Sequence, residues 1–175
     1  YRYALWLSEN DYKKLESNPI VKERIARTYN HRIHSSAKGL AERPWSFRDT
    51  NMTTTQSIMI PCHSSENREY LPMGIVGDDT IISNSAMAIY DAPIYLLGLL
   101  ESRMHMTWMR AIGGKLETRY RYSAGLVYNT FPVPKISEQA KTEIEDCVFE
   151  ILDYREMSGK TLAELYDTKT MRKNY

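Results

Sequence analysis

The hydrophobic pattern changes period at Pro93, and that change constrains the fold more than any other feature of the chain. Before it, apolar runs at residues 57–61, 70–76 and 81–90 are separated by polar stretches, among them the turn signal Gly77-Asp78-Asp79. Runs this short, close together and divided by tight turns read as antiparallel neighbours, the third interrupted by Ser83-Asn84-Ser85. After Pro93, Leu96, Leu97, Leu100, Met104, Trp108 and Ala111 fall on one helical face through Ile112. That predicts a single long helix ended by Gly113-Gly114. Strands that give way to a helix in this manner predict an α+β fold: a mostly antiparallel twisted sheet with packed helices, followed by C-terminal helices.

The flanks extend this outline. Residues 1–7 alternate, with Tyr3, Leu5 and Leu7 on one side, and predict a strand. Ser8 caps a short helix, Asn18-Pro19 breaks it, and Pro19 opens a second helix with the apolar stripe Val21, Ile25, Tyr29 and Ile33. The remaining surface of that helix carries Lys22, Arg24, Arg27, His31, Arg32, His34 and Lys38, the most basic stretch of the chain. A solvated face and a phosphate-contacting face explain it equally well. Residues 39–56 and 63–69 read as loops, and residues 126–128 as a strand. Phe131-Pro132-Val133-Pro134 can continue neither a helix nor a central strand, so a domain is expected to close there. Ser137 starts a further helix with Ile144, Val148, Ile151 and Leu152 as its stripe, and Thr161-Leu162-Ala163-Glu164 fits a capping box. The expected organisation is a domain over residues 1–134 and a helical segment over 135–175. An apolar strand at the very start, without an initiator Met, suggests a piece of a larger chain.

Composition narrows the function by exclusion. Hydrophobic residues make up 42% of the chain, which excludes disorder as its main state. With 23 Lys and Arg against 22 Asp and Glu the net charge is +1, so any nucleic-acid affinity has to come from a local patch. The two cysteines, Cys62 and Cys147, have no metal-like spacing and suit free thiols in a reducing cytoplasm. No apolar run is long enough to span a membrane, and no signal peptide is present. The 13 Tyr and 9 Met suit either a wet interface or a core edge. There is no glycine-rich phosphate loop and no zinc spacing. His31 and His34 form only a weak metal pair, His63 and His105 are isolated, and Cys62 and His63 would point to opposite faces of a strand. No catalytic residue, metal or cofactor is expected within this chain.

Residues 115–123 are the most suggestive segment. Lys115, Glu117, Arg119 and Arg121 alternate, so an extended conformation would place them on one edge, with Leu116, Thr118, Tyr120 and Tyr122 on the other. Arg can donate two hydrogen bonds to guanine O6 and N7, and Glu can accept from the cytosine amino group. Glu117 and Arg119 could therefore take the two halves of one C·G pair. The competing explanation is an exposed Glu117–Arg119 ion pair on a solvated hairpin, which would be worth little.

A resemblance bears on that choice. Met104-His105-Met106-Thr107-Trp108-Met109-Arg110-Ala111, Gly114-Lys115-Leu116, Tyr120-Arg121-Tyr122-Ser123 and Val127-Tyr128-Asn129-Thr130-Phe131-Pro132 occur in that order. Upstream stand Ile60-Pro61-Cys62-His63-Ser64-Ser65-Glu66, Tyr70-Leu71-Pro72-Met73-Gly74 and Ile82-Ser83-Asn84-Ser85, and downstream Leu162-Ala163-Glu164-Leu165-Tyr166-Asp167. The ordered set resembles the target-recognition region of MmeI-like DNA methyltransferases, large single-chain restriction–modification enzymes. The resemblance implies a parent that methylates adenine N6 from S-adenosylmethionine, with catalysis and cofactor binding outside this chain, which lacks the family's Asn-Pro-Pro-Tyr motif. It implies double-stranded DNA and the parent's catalytic domain as partners. It further implies base readout at Glu117 with Arg119, at Cys62 with Asn84, and at Ser85 with Arg121. A Glu-x-Arg pair at the first location goes with C, and a Lys-x-Asp pair with G. Cys62 departs from the more polar residues of the family, and a buried strand thiol explains it as well. Backbone contacts are expected from Lys115, Arg110, Arg68, Ser64 and Ser65.

Two other function classes remain open at the level of sequence. One is a protein-interaction module docking other domains or subunits. The other is a hydrolase using the histidines.

Overall fold

The computed structural model describes residues 3–36, 38–169 and 171. The chain divides into two compact units, residues 1–51 and 52–175.

In the first unit, residues 3–7 form no strand; residues 1 and 2 of the expected strand lie outside the described residues. Helix α1 (Glu9–Leu15) begins with the reciprocal bonds of Ser8 and Asp11, and α2 (Pro19–Ile33) with Asn18 accepting from the Ile20 amide at 3.0 Å. Two stacked ring pairs stabilise the unit, Tyr12 on Trp45 at 4.5 Å and Trp6 on Phe47 at 5.0 Å. Arg32 is a structural residue here. Its guanidinium donates to the carbonyls of Leu40, Arg43 and Ser46 at 3.1, 2.9 and 2.8 Å, fastening the chain that follows the helix. Arg27 pairs with Glu23. The basic helix thus spends two of its cations on its own fold, while Lys22 and Arg24 stay exposed.

The second unit confirms the α+β class, with its strands divided between two three-stranded antiparallel sheets. The strands are β1 (Gln56–Pro61), β2 (His63–Ser64), β3 (Gly74–Gly77), β4 (Ala86–Tyr90), β5 (Gly114–Leu116) and β6 (Arg119–Arg121). One sheet has the order β3-β1-β4 and the other β2-β6-β5. β1 is central and runs into β2 through a bend at Cys62, so one continuous stretch of chain serves both sheets. The expected strands over 70–76 and 81–90 are shorter than the apolar runs suggested, because Tyr70 to Met73 and Ile81 to Ser85 lie in irregular segments. The Thr run that precedes β1 is not free loop. Asp91, at φ 51, accepts at Oδ1 from the hydroxyls of Thr53, Thr54 and Thr55 and from the amides of Thr54 and Thr55. These donors, the Thr53 hydroxyl first, hold its carboxyl far below the usual carboxylate range.

The long helix expected from Pro93 is broken into α3 (Ile94–Leu100) and α4 (Arg103–Ile112). Ser102 causes the break. It takes an extended conformation, donates its hydroxyl to Leu99 O at 2.6 Å and caps the His105 amide at 3.1 Å. The break resets the helical phase. His105, Met106 and Met109 are buried, while Met104 is exposed and Ala111 faces out. Ile58, Ile60, Leu71, Met73, Leu97, Leu100, Met106, Met109 and Val127 make the core, each at 1% exposure or less. Residues 126–128, expected as a strand, belong to a wide helical turn over Ala124–Tyr128 in which the Asn129 amide reaches Ala124 O at 2.9 Å and Val127 is buried.

The C-terminal helices α5 (Glu138–Ser158) and α6 (Leu162–Leu165) belong to the same compact unit. Val148 joins the core, with Ile144 and Leu152 beside it. Helix α5 lies against α3 at Gly98, where an added Cβ would stand 2.5 Å from Ile144 Cγ2 and 2.9 Å from Val148 Cγ2. Only a residue without a side chain permits that approach.

Candidate nucleic-acid interface

Residues 114–121 form a β-hairpin closed by the two-residue turn Glu117-Thr118, not the single extended segment expected. The ladder pairs Gly114 with Arg121, Lys115 with Tyr120 and Leu116 with Arg119, while β2 pairs His63 with Arg121 and Ser64 with Tyr120. Paired residues share a face, and successive residues alternate. Arg119 and Arg121 therefore lie on one face with Leu116 and His63. Lys115 lies on the other, with Tyr120 and Ser64. This corrects the expected edge. Counting by two along the sequence fails across the turn, so Lys115 does not join the two arginines. Glu117 sits at the tip, at φ 57, outside the alternation altogether.

Lys115, Glu117, Arg119 and Arg121 are all exposed. Among the described residues no ion pair joins Glu117 to Arg119, so the hairpin is not closed on itself by that bridge. The nearby acid is Glu66, which sequence reasoning did not single out. The ladder of β2 and β6 points to it, since continuing the register by two residues sets Glu66 opposite Thr118. Its own backbone amide, and then the Thr118 hydroxyl, hold its carboxyl below the usual range, with Arg119 and Lys115 adding to the effect.

A second group meets at the base of the hairpin. The Cys62 amide donates to Ser85 O at 3.1 Å, Cys62 Sγ approaches Asn84 O at 4.0 Å, and the Tyr122 amide donates to Cys62 O at 2.9 Å. Residues 62, 84, 85 and 121, scattered in sequence, are thus brought together. Asn84, Ser85 and Arg121 are exposed, and Cys62 is half-buried. His63, read from sequence as isolated, stands exposed beside Arg121.

The expected backbone contacts separate. Ser64 is 3% exposed with its hydroxyl enclosed, because alternation turns it inward behind Tyr120; it cannot reach a phosphate in this conformation. Ser65 Oγ accepts from the Asn67 amide at 3.3 Å, and Arg110 donates to Glu69 O at 3.0 Å from an exposed position. Arg68 is half-buried.

Behind the hairpin, the strand's next residue ties it to the core. Tyr122 is 3% exposed, and its hydroxyl lies 3.1 Å from Nε2 of His105. His105 Nδ1 lies 2.7 Å from Leu100 O, and the ring meets Phe131 edge-on at 4.7 Å. A carbonyl only accepts, so Nδ1 carries the proton and Nε2 accepts from Tyr122. Burial pushes the His105 pKa down and the Tyr122 pKa up. His105 is thus a core residue. Among the described residues no group of three or more His, Cys, Asp or Glu could hold a metal ion, and no helix is long and apolar enough to cross a membrane.

Comparison with known proteins places the chain in a family. The family model for the MmeI target recognition domain matches residues 1–135, and the chain belongs to that family. DNA methyltransferase A of Bacillus subtilis (strain 168) is 59% identical over 173 residues. That match takes in 97% of this chain and 20% of the relative, so the chain spans about a fifth of that protein's length. Among solved structures, the Type IIL restriction–modification enzyme MmeI in complex with DNA superimposes with a TM-score of 0.90 at 42% identity. The overlap covers 97% of this chain and 23% of that one.

Proposed function

From this family membership we propose that the chain is the target-recognition module of a larger restriction–modification enzyme, and that it reads the sequence of double-stranded DNA. One observation carries the reading. Arg119 and Arg121 project from one exposed face of a hairpin anchored in the core, beside a converging group of Cys62, Asn84 and Ser85. Glu117 at the tip and Arg119 address one C·G pair, Glu117 accepting from the cytosine amino group and Arg119 donating to guanine O6 and N7. Arg121 with Ser85 takes a second base pair. Asn84, held over Cys62, takes a third, with adenine as its natural partner. Lys115, Arg110, Arg68 and Ser65 supply backbone contacts that set register without reading sequence. Lys115 does so from the opposite face of the hairpin.

The parent transfers a methyl group from S-adenosylmethionine to adenine N6, in a catalytic domain on the same chain and within the cytoplasm. The relative's name, a DNA methyltransferase, supports the activity. The two free thiols suit the compartment. Within the chain, residues 1–134 are the recognition part, and residues 135–175 brace it through the packing of α5 on α3.

The test is a change of sequence choice. The full-length enzyme carrying Glu117→Lys with Arg119→Asp should methylate sites with G where the parent requires C, at one position and no other. Methylated sites are mapped by sequencing. Retention of C at every position in the double variant would overturn the readout.

A further inference from the structure

The readout ascribed to Arg121 leaves one neighbour unused. On the exposed face, Arg121 has two cross-strand partners, Gly114 on β5 and His63 on β2. Gly114 contributes no side chain, so His63 alone flanks the guanidinium across the ladder. The Tyr122 amide bonds Cys62 O at 2.9 Å, which makes 62 and 122 the hydrogen-bonded pair and 63 and 121 the non-hydrogen-bonded one. Such pairs bring their Cα atoms to about 4.5 Å and their side chains closest together. Alternation fixes the direction as well. Ser64 is buried at 3%, so His63 must point outward, and it is exposed.

Among the described residues no hydrogen bond or ion pair engages the imidazole. It differs in this from His105, whose two nitrogens are both taken up within the core. Arg119 and Arg121 follow each other along β6 and His63 stands across from Arg121 on β2, so the three exposed side chains share one face.

We propose that His63 is a further specificity-determining residue, donating a hydrogen bond to a purine N7 on the base pair next to the one taken by Arg121. The chemistry fits an acceptor on DNA. An imidazole always carries at least one N–H, and purine N7 is an acceptor on the major-groove edge. The spacing fits too. Neighbouring cross-strand side chains stand about 4.5–5.5 Å apart at Cβ, and stacked base pairs about 3.4 Å apart, so adjacent side chains reach adjacent pairs. This inference rests on the reading of Arg121 given above, and the test separates the two.

The full-length enzyme is compared with its His63→Ala, His63→Gln and Arg121→Ala variants. Methylated sites are mapped by sequencing. Binding is measured on duplexes carrying each of the four base pairs at successive positions, at several salt concentrations. His63→Ala should lose discrimination at one position roughly tenfold, at a position different from the one relaxed by Arg121→Ala. His63→Gln, which keeps an N–H donor, should recover part of it. Three results overturn the proposal. One is an unchanged recognition sequence in His63→Ala while Arg121→Ala relaxes its own position. Another is an equal loss of affinity on all duplexes with a shallower salt slope, which marks a phosphate contact. The third is an unchanged sequence in Arg121→Ala, which removes the readout reading and this inference with it.

Discussion

The hydroxyl of Tyr122 and Nε2 of His105 stand 3.1 Å apart inside the core, so the strand that presents Arg119 and Arg121 is hydrogen-bonded through its next residue to the first turn of α4. Orientation of the exposed face depends on that anchor. A side chain has to be held within a fraction of an ångström to select a base edge, and a hairpin with strands of three residues cannot hold itself.

Removing the hydroxyl should therefore loosen the hairpin. Tyr122→Phe leaves Nε2 of a fully buried His105 without a donor, at a cost of about 1–3 kcal/mol. Urea unfolding of the 175-residue chain gives the loss. Amide exchange across residues 114–121 should rise in step, and an unchanged exchange rate there would contradict the anchoring role. The same ring sets a pH dependence. Burial holds the folded His105 pKa below its ordinary 6.5, so the unfolded chain binds the proton more readily. The stabilising contribution is then complete above pH 6.5 and declines as the pH falls below it. The urea midpoint should drop between pH 7.5 and pH 5.5, and His105→Gln should flatten that part of the slope.

Lys115 and Arg119 lie on opposite faces of the hairpin, and the proposed reading gives them different kinds of contact. Lys115→Ala should weaken binding of the full-length enzyme about equally on all duplexes and make the salt slope shallower by roughly one ion. Arg119→Ala should relax the choice at one base pair, by about 1–3 kcal/mol of lost discrimination. Both are read from binding to a panel of duplexes at several salt concentrations. Relaxed base choice in Lys115→Ala would mean that the two cations work on the same face, against the ladder register.

What sequence could and could not reveal follows from how local each signal is. Ser8, Ser137 and Thr161 were readable as helix starts, because a cap needs only a side-chain oxygen and an amide two or three residues on. The helix break at Ser102 was not, since the apolar spacing runs on through it and the break depends on a serine that caps in the middle of that pattern. The hairpin turn was hidden for a related reason. Two-residue turns advertise themselves by Gly or Asn at positive φ, and here Glu117 holds that conformation. The meeting of Cys62, Asn84, Ser85 and Arg121 is a tertiary fact. Only the family resemblance pointed to it, whereas the contiguous run from Lys115 to Arg121 was suspicious on chemistry alone. A non-glycine residue in a left-handed turn, at the tip of the proposed reading edge, is the kind of strain that functional surfaces retain.

The C-terminal helices depend on one buried charge pair, and its removal should be costly. Glu101 lies at the C-terminal end of α3 and accepts from Nη2 of Arg155 on α5 at 2.8 Å on both carboxylate oxygens. The same carboxylate accepts from the Met73 amide at 3.2 Å and the Tyr166 hydroxyl at 2.9 Å, while Arg155 donates to Met73 O at 3.1 Å. Side-chain exposures of 6% and 11% leave little water to replace a missing partner. Burial raises the Glu101 pKa, against the opposing pull of the Arg155 charge and of the hydrogen bonds from Tyr166, Arg155 and Met73. Glu101→Ala should accordingly cost about 3–5 kcal/mol, chiefly by stranding the Arg155 charge. Arg155→Ala should cost a similar amount. The double variant should lose clearly less than the sum, because each single change already forfeits the shared interaction. Urea midpoints of the four proteins complete the cycle. Strict additivity would mean that the two side chains stabilise their helices independently, and that α5 is held to α3 by the close packing at Gly98 alone.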